Sequence, residues 1–389
     1  MLLLLGSFFA QEAPERRAPG YEGDFAQAPV PHWQRLLPGP RLQAFTHTER
    51  GRPGTDGTDL FLGSAAVDAL LQVSRVDGSE IFRYEAGAPV QSEPLMLNGE
   101  VLFSDSAGYT WRYGIGADEE RWSHYGGAPI SATPTLAQGH VYVANVDDVV
   151  YALDAAGGEL EWRYARPYDA TRDSELTLFG APSPQRIGDI VIAGFSDGAV
   201  VALSANAGEV LWERRVGEGR YPDIIGEPLV EGRVAYVGGY SEPFVALDLE
   251  QRAVRWRQDI GSAAPPTLVD GTLYHGATDG KLRALDAESG EVLWTWDSLT
   301  TGALTQPQVL DAGVVVGSSD GSIYLVSRHD GVLMWEHDPG HLLDGVTVAP
   351  LVVGRQLVAV TNAGRLLSML SPGDDPVFDT LRLGADAPL

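Results

Sequence analysis

One phrase is written repeatedly along this 389-residue chain. At its clearest it runs Ala284-Leu285-Asp286-Ala287-Glu288-Ser289-Gly290-Glu291-Val292-Leu293-Trp294, a strand, a tight turn through Ser289-Gly290 and a second strand ending in tryptophan. Ala152-Leu153-Asp154 leads through Gly157-Gly158 to Trp162, and Ala202-Leu203-Ser204 through Gly208 to Trp212. Ala246-Leu247-Asp248 leads to Trp256, and Leu325-Val326-Ser327 through Gly331 to Trp335. Fainter copies close on Phe82 and Trp122 upstream and on Phe378 downstream. The closing aromatics Phe82, Trp122, Trp162, Trp212, Trp256, Trp294, Trp335 and Phe378 are 40, 40, 50, 44, 38, 41 and 43 residues apart. A four-stranded propeller blade takes roughly 40–45 residues. The repeat therefore predicts an all-β fold, an eight-bladed β-propeller of four-stranded antiparallel blades.

A full unit reads strand by strand from Pro266-Thr267-Leu268-Val269, through Thr272 to Gly276 and Lys281 to Asp286, to Glu291 to Trp296. Asp270-Gly271 and Thr278-Asp279-Gly280 separate the first three, because hairpin turns need a positive φ that glycine supplies without steric cost. Proline opens most units, at Pro94, Pro134, Pro184, Pro228, Pro266, Pro307 and Pro350, where it removes no ladder hydrogen bond. The expected organisation is a signal-like remnant over 1–10, a Pro-rich polar segment over 11–40, the propeller over 41–382 and a tail over 383–389. Two closures stay open. Arg41 to Phe45 could form the first inner strand, or an N-terminal strand could pair into the last blade.

Charge and composition exclude several functions. The net charge of −26 argues against nucleic acid as a partner, since phosphate binding needs clustered cations, and against a polybasic membrane contact. With no cysteine, disulfides, thiolate catalysis, iron–sulfur clusters and cysteine-ligated zinc are excluded. The apolar opening MLLLLGSFFA is too short for a transmembrane helix of about 20 residues. It resembles the apolar part of a secretory signal without its basic start, so export to the periplasm or cell envelope is expected. No cysteine follows it, so no bacterial lipid anchor is expected.

The Ala-x-Asp-x-x-x-Gly-Glu-x-x-Trp pattern resembles the tryptophan-docking motif of the PQQ-like (quinoprotein-like) β-propellers. The match is good at Ala152 to Trp162 and Ala284 to Trp294, and fair at Ala202 to Trp212 and Ala246 to Trp256. In size the chain is most similar to the BamB-type outer-membrane assembly propellers. The resemblance implies that the repeat aromatics pack between blades and are structural. It also implies one of two functions. One is a non-catalytic protein-interaction scaffold of the bacterial envelope, with the outer-membrane barrel-assembly machinery as partner. The other is a dehydrogenase holding PQQ and calcium over the propeller axis. A periplasmic ligand-binding or sensor propeller is a third alternative.

Nothing catalytic stands out. A calcium-assisted oxidation needs a carboxylate base beside oxygen ligands, yet Asp77, Asp197, Asp279 and Asp320 sit at turn tips, where aspartate suits turn geometry. His337 and His341 have helical metal spacing, but Pro339 and Gly340 between them forbid a helix. No cofactor and no metal are therefore expected, and the chain is expected to act as a monomer. The longest gap between units falls at Arg166 to Glu175, and a second odd connector is Gly219-Arg220-Tyr221-Pro222-Asp223. Insertions in repeat proteins gather on one face, often the binding face. Tyr168, Arg172, Arg220 and Tyr221 are the candidate partner anchors, because Tyr and Arg combine contact area with hydrogen bonding.

Overall fold

The computed structural model describes residues 29–37, 51–65, 67–117, 119–167, 181–241, 243–310, 313–319, 321–339 and 344–371. Among these, thirty-two strands form eight separate four-stranded sheets, each antiparallel throughout. Seven blades are continuous in sequence: 54–85, 95–125, 135–165, 185–215, 229–258, 267–297 and 308–337. Short turns make this possible. Gln138 (φ 48°) with Gly139 (φ 79°), and Asp270 (φ 51°) with Gly271 (φ 77°), place two successive residues at positive φ, the geometry that lets a two-residue turn follow the strand twist.

The eighth blade is assembled from both ends of the chain. Leu351–Val353, Gln356–Val360 and Arg365–Leu370 supply three strands, and Val30–Leu36 pairs antiparallel with the last of them, Val30 opposite Leu370 and Leu36 opposite Arg365. The outer strand of that blade is therefore N-terminal and does not lead to Phe378, which lies outside the described residues. The physical reason is edge coverage: the third strand of an open ring would leave its N–H and C=O groups unpaired. The first inner strand is Gly54–Thr55, and Arg41 to Phe45 also lie outside the described residues. Pro53 stands just before it and continues the series of unit-opening prolines.

Every blade carries the same irregularity between its third and outer strands. Trp162 pairs with Ala152 while Leu160 pairs with Leu153, so Glu161 is an extra residue. The closing strand repeats this, with Trp33 opposite Ser368, Pro31 opposite Met369 and His32 between them. Trp33 thus takes the register of a repeat tryptophan.

That register sets the seams between blades. Each closing aromatic among the described residues packs on the next blade: Phe82 on the cluster with Val101 and Phe103, Trp212 on that with Leu247 and Leu249, Trp335 on that with Leu357 and Met369. At five seams the contact has a common form. The indole N–H donates to the carbonyl three residues past the third-strand Ala or its equivalent in the following blade. The pairs are Trp33 to Arg75 (3.1 Å), Trp122 to Ala155 (3.0 Å), Trp162 to Ala205 (2.8 Å), Trp256 to Ala287 (3.0 Å) and Trp294 to Arg328 (3.1 Å). The ring lies flat on a turn glycine at positive φ. A Cβ on Gly208 would stand 2.5 Å from Trp162, and one on Gly290 2.5 Å from Trp256. The motif aspartate braces the same turn: Asp286 Oδ1 accepts from the amides of Ser289 (2.7 Å) and Glu288 (3.2 Å). The Ser289 amide and hydroxyl hold that carboxyl below its ordinary range, since hydrogen bonds to the charged form favour it.

Candidate interaction face

Because the four strands of a blade alternate in direction, the turn between the second and third strands and the connector to the next blade emerge on one face. The odd connector from Gly219 to Asp223 lies there. Tyr168 and Arg172 lie outside the described residues. The second connector is built in detail, and it bridges two blades. Ile224 N donates to Phe195 O of blade 4 (3.1 Å), and Tyr240 N of blade 5 donates to Asp223 O (2.9 Å). Gly217 admits no side chain, since a Cβ there would stand 1.9 Å from Pro222 O.

Tyr221 is clamped to the blade-5 turn. Its N–H donates to Ser241 Oγ (3.2 Å), and its carbonyl accepts from Ser241 N (3.1 Å). Its half-buried ring meets Tyr240 edge-on at 6.2 Å and 88°. The exposed Arg220 guanidinium lies 5.4 Å above the same ring. Arg220, Tyr221 and Tyr240 form a small raised cation–aromatic cluster. Tyr240 was not singled out from the sequence; its place opposite the connector depends on how two turns meet.

At the start of the first odd connector, Arg166 donates to Asp197 Oδ2 through Nε (3.1 Å) and Nη2 (2.8 Å), and to Glu213 Oε2 through Nη1 (2.7 Å). Its guanidinium stands 5.6 Å over Phe195. Burial is the largest influence on this group and would lower its pKa, but the hydrogen bonds to Asp197, Glu213 and Tyr164 outweigh it and raise the pKa. Arg166 is thereby a fixed strut at the root of the connector.

The axial mouth on this face carries a different set. Residues preceding the unit-opening prolines are Arg52, Glu93, Thr133, Ser183, Glu227, Pro265, Gln306 and Ala349. Arg52 reaches past blade 8 to blade 7, donating to Gln306 Oε1 and Gln308 Oε1 at 3.0 Å each, with Glu93 at 3.7 Å. A guanidinium braced across the mouth is the wrong charge for a calcium ligand set. No group of three or more His, Asp or Glu side chains able to hold a metal occurs among the described residues. His337 stacks on Trp335 (5.9 Å, 8°), and His341 lies outside the described residues. No helix among the described residues is long and apolar enough to cross a membrane.

Eight blades, radial tryptophans docked on turn glycines and a bridged connector face define a PQQ-like β-propeller. The model of the family described as outer membrane protein assembly factor BamB matches residues 115–296 and 256–374, more than half of the chain, and the chain belongs to that family. It is 28% identical over 198 residues to the outer membrane protein assembly factor BamB of Legionella pneumophila, covering 49% of this chain and 51% of that relative. The chain thus spans about half the length of that curated relative. In fold it is similar to the crystal structure of BamB from Moraxella catarrhalis, with a TM-score of 0.73, 18% identity, and 88% and 100% of the two chains covered. It is also similar to quinohemoprotein alcohol dehydrogenase from Comamonas testosteroni, with a TM-score of 0.67, 14% identity, and 89% and 77% covered. At these identities the two structures share the fold alone.

Proposed function

We propose that the chain is a non-catalytic scaffold in outer-membrane protein assembly, working in the bacterial cell envelope and holding a protein partner of the barrel-assembly machinery. Membership of the BamB family over the repeat region carries this reading. The partner meets the connector face, where Arg220 and Tyr221, joined by Tyr240, present area and hydrogen-bonding capacity on a turn pinned to two blades; Tyr168 and Arg172, outside the described residues, are kept as further candidate anchors. The dehydrogenase reading rests on the shared fold, which does not carry function by itself. Arg52 across the axial mouth weighs against it.

Crosslinking and affinity capture of the tagged protein from its native envelope tests the proposal, with recovery of the barrel-assembly core subunit as the expected result. Arg220→Ala with Tyr221→Ala is expected to weaken capture about tenfold while the protein still folds. Capture that yields no assembly subunit would sink the scaffold reading. Equal capture by the double variant would remove this face and leave the scaffold reading standing.

A further inference from the structure

The outer strand of every blade is a sheet edge, and six of the eight carry arginine. They are Arg83, Arg121, Arg163, the pair Arg214 and Arg215, the pair Arg255 and Arg257, and Arg35 of the closing strand. A charged side chain on an edge strand discourages pairing with another chain. The outer strands of blades 6 and 7, Val292–Asp297 and Leu333–His337, contain neither lysine nor arginine.

Aliphatic side chains are exposed on other outer strands too, such as Ile81 and Leu211, but on these two no arginine stands among them: Val292, Leu293 (54% exposed), Val332 (57%), Leu333 and Met334 (48%). They form one neighbourhood. Trp294 lies on Gly331, which sets the strand end bearing Val292 and Leu293 beside the turn from which Val332 to Met334 continue. Charges around it are mostly negative. Glu288, Glu291, Asp330 and Glu336 are exposed, and the nearby Arg328 is already paired with Asp270 at 3.0 Å. Lys281 is paired with Asp297 at 3.3 Å, and His329 is the remaining exposed basic side chain of the turn.

We propose that this arginine-free edge accepts an extended segment of a protein partner as an added strand, one in which aliphatic residues alternate with lysine or arginine. Main-chain pairing supplies affinity and alternate side chains supply preference. The aliphatics cover the exposed Leu293 to Met334 neighbourhood, and the cations meet the acidic turns. The site is on the outer rim, near the turns of the opposite face from the connectors, and it does not depend on the scaffold reading.

The test is fluorescence anisotropy of the full chain with a dye-labelled peptide of about ten residues, long enough for one strand, alternating valine and lysine. Saturable binding that weakens with salt is expected, with none for a valine–glutamate peptide. Leu333→Arg with Met334→Arg is expected to raise Kd at least about tenfold without changing the melting temperature. Hydrogen exchange in Leu333–His337 is expected to slow on binding. The proposal is overturned by the absence of binding or by equal affinity of the double variant. Loss of binding in the Arg220→Ala/Tyr221→Ala variant, or pairing of two copies of the chain along this edge, would also overturn it.

Discussion

The seam between blades 5 and 6 and the seam between blades 4 and 5 use the same tryptophan position differently. At the first, buried Trp256 donates to Ala287 O at 3.0 Å and lies on Gly290 at φ 76°. At the second, half-buried Trp212 faces a blade whose turn carries Arg252 at φ 57° in place of glycine, and Arg214 donates to Arg252 O at 2.8 Å. The first seam is a repeated structural device. The second has lost the glycine, and it is the seam whose connector rises into the Arg220–Tyr221–Tyr240 cluster. Where the repeat is strict, side chains hold the ring; where it departs, the connector contributes to holding the seam and is shaped for something else.

The comparison can be broken by truncation. Trp256→Ala is expected to cost roughly 3–5 kcal/mol in chemical denaturation, the range for a buried aromatic, and Trp212→Ala about half of that. Equal losses would erase the distinction between the seams.

Acid sharpens it at the docked seam. His275 is fully buried, stacked on Phe244 of blade 5 at 4.3 Å and 6°, with Nε2 3.2 Å from Gly261 O. Burial pushes its pKa down from 6.5 to about 4, the Gly261 carbonyl opposing. Between those values the unfolded chain binds the proton and the folded chain does not, so stability falls as pH drops from 6.5 to about 4 and this group adds no further loss below that. The share is at most roughly 3 kcal/mol. Denaturation midpoints across this window are expected to flatten in His275→Phe; an unchanged slope would contradict the assignment.

Glycine exchange gives smaller effects of opposite sign. Gly208→Ala drives a Cβ into Trp162 at a positive φ and is expected to cost about 1–3 kcal/mol. Arg252→Gly relieves a left-handed arginine and is expected to stabilise by about 0.5 kcal/mol, strain relief less the entropy of glycine. Thermal melts distinguish the two signs.

Much of this was legible in residues. The four strands read from Pro266 to Trp296 correspond to Thr267–Val269, Thr272–Gly276, Lys281–Asp286 and Val292–Asp297, because Asp-Gly turns and alternating strands are local signals. Ring closure is not local. Trp33 follows Pro31-His32 with no Ala-Leu-Asp before it, since its third-strand partner is Ser368, more than three hundred residues away, so spacing pointed to Phe378. Arg52-Pro53 would have located the first inner strand, had the proline series been extended one unit back. The Arg220–Tyr221 pair was visible as an odd connector, whereas Tyr240 and the Arg52 brace depend on tertiary placement.

The closing seam, with Trp33 donating to Arg75 O at 3.1 Å, is chemically the same as the interior docked seams. Denaturation of Trp33→Ala beside Trp256→Ala tests it most directly. The expected result is a loss for Trp33→Ala within about 1–2 kcal/mol of the interior loss. A loss below about 1 kcal/mol, the size of an ordinary surface change, would show that the N-terminal strand does not hold the ring.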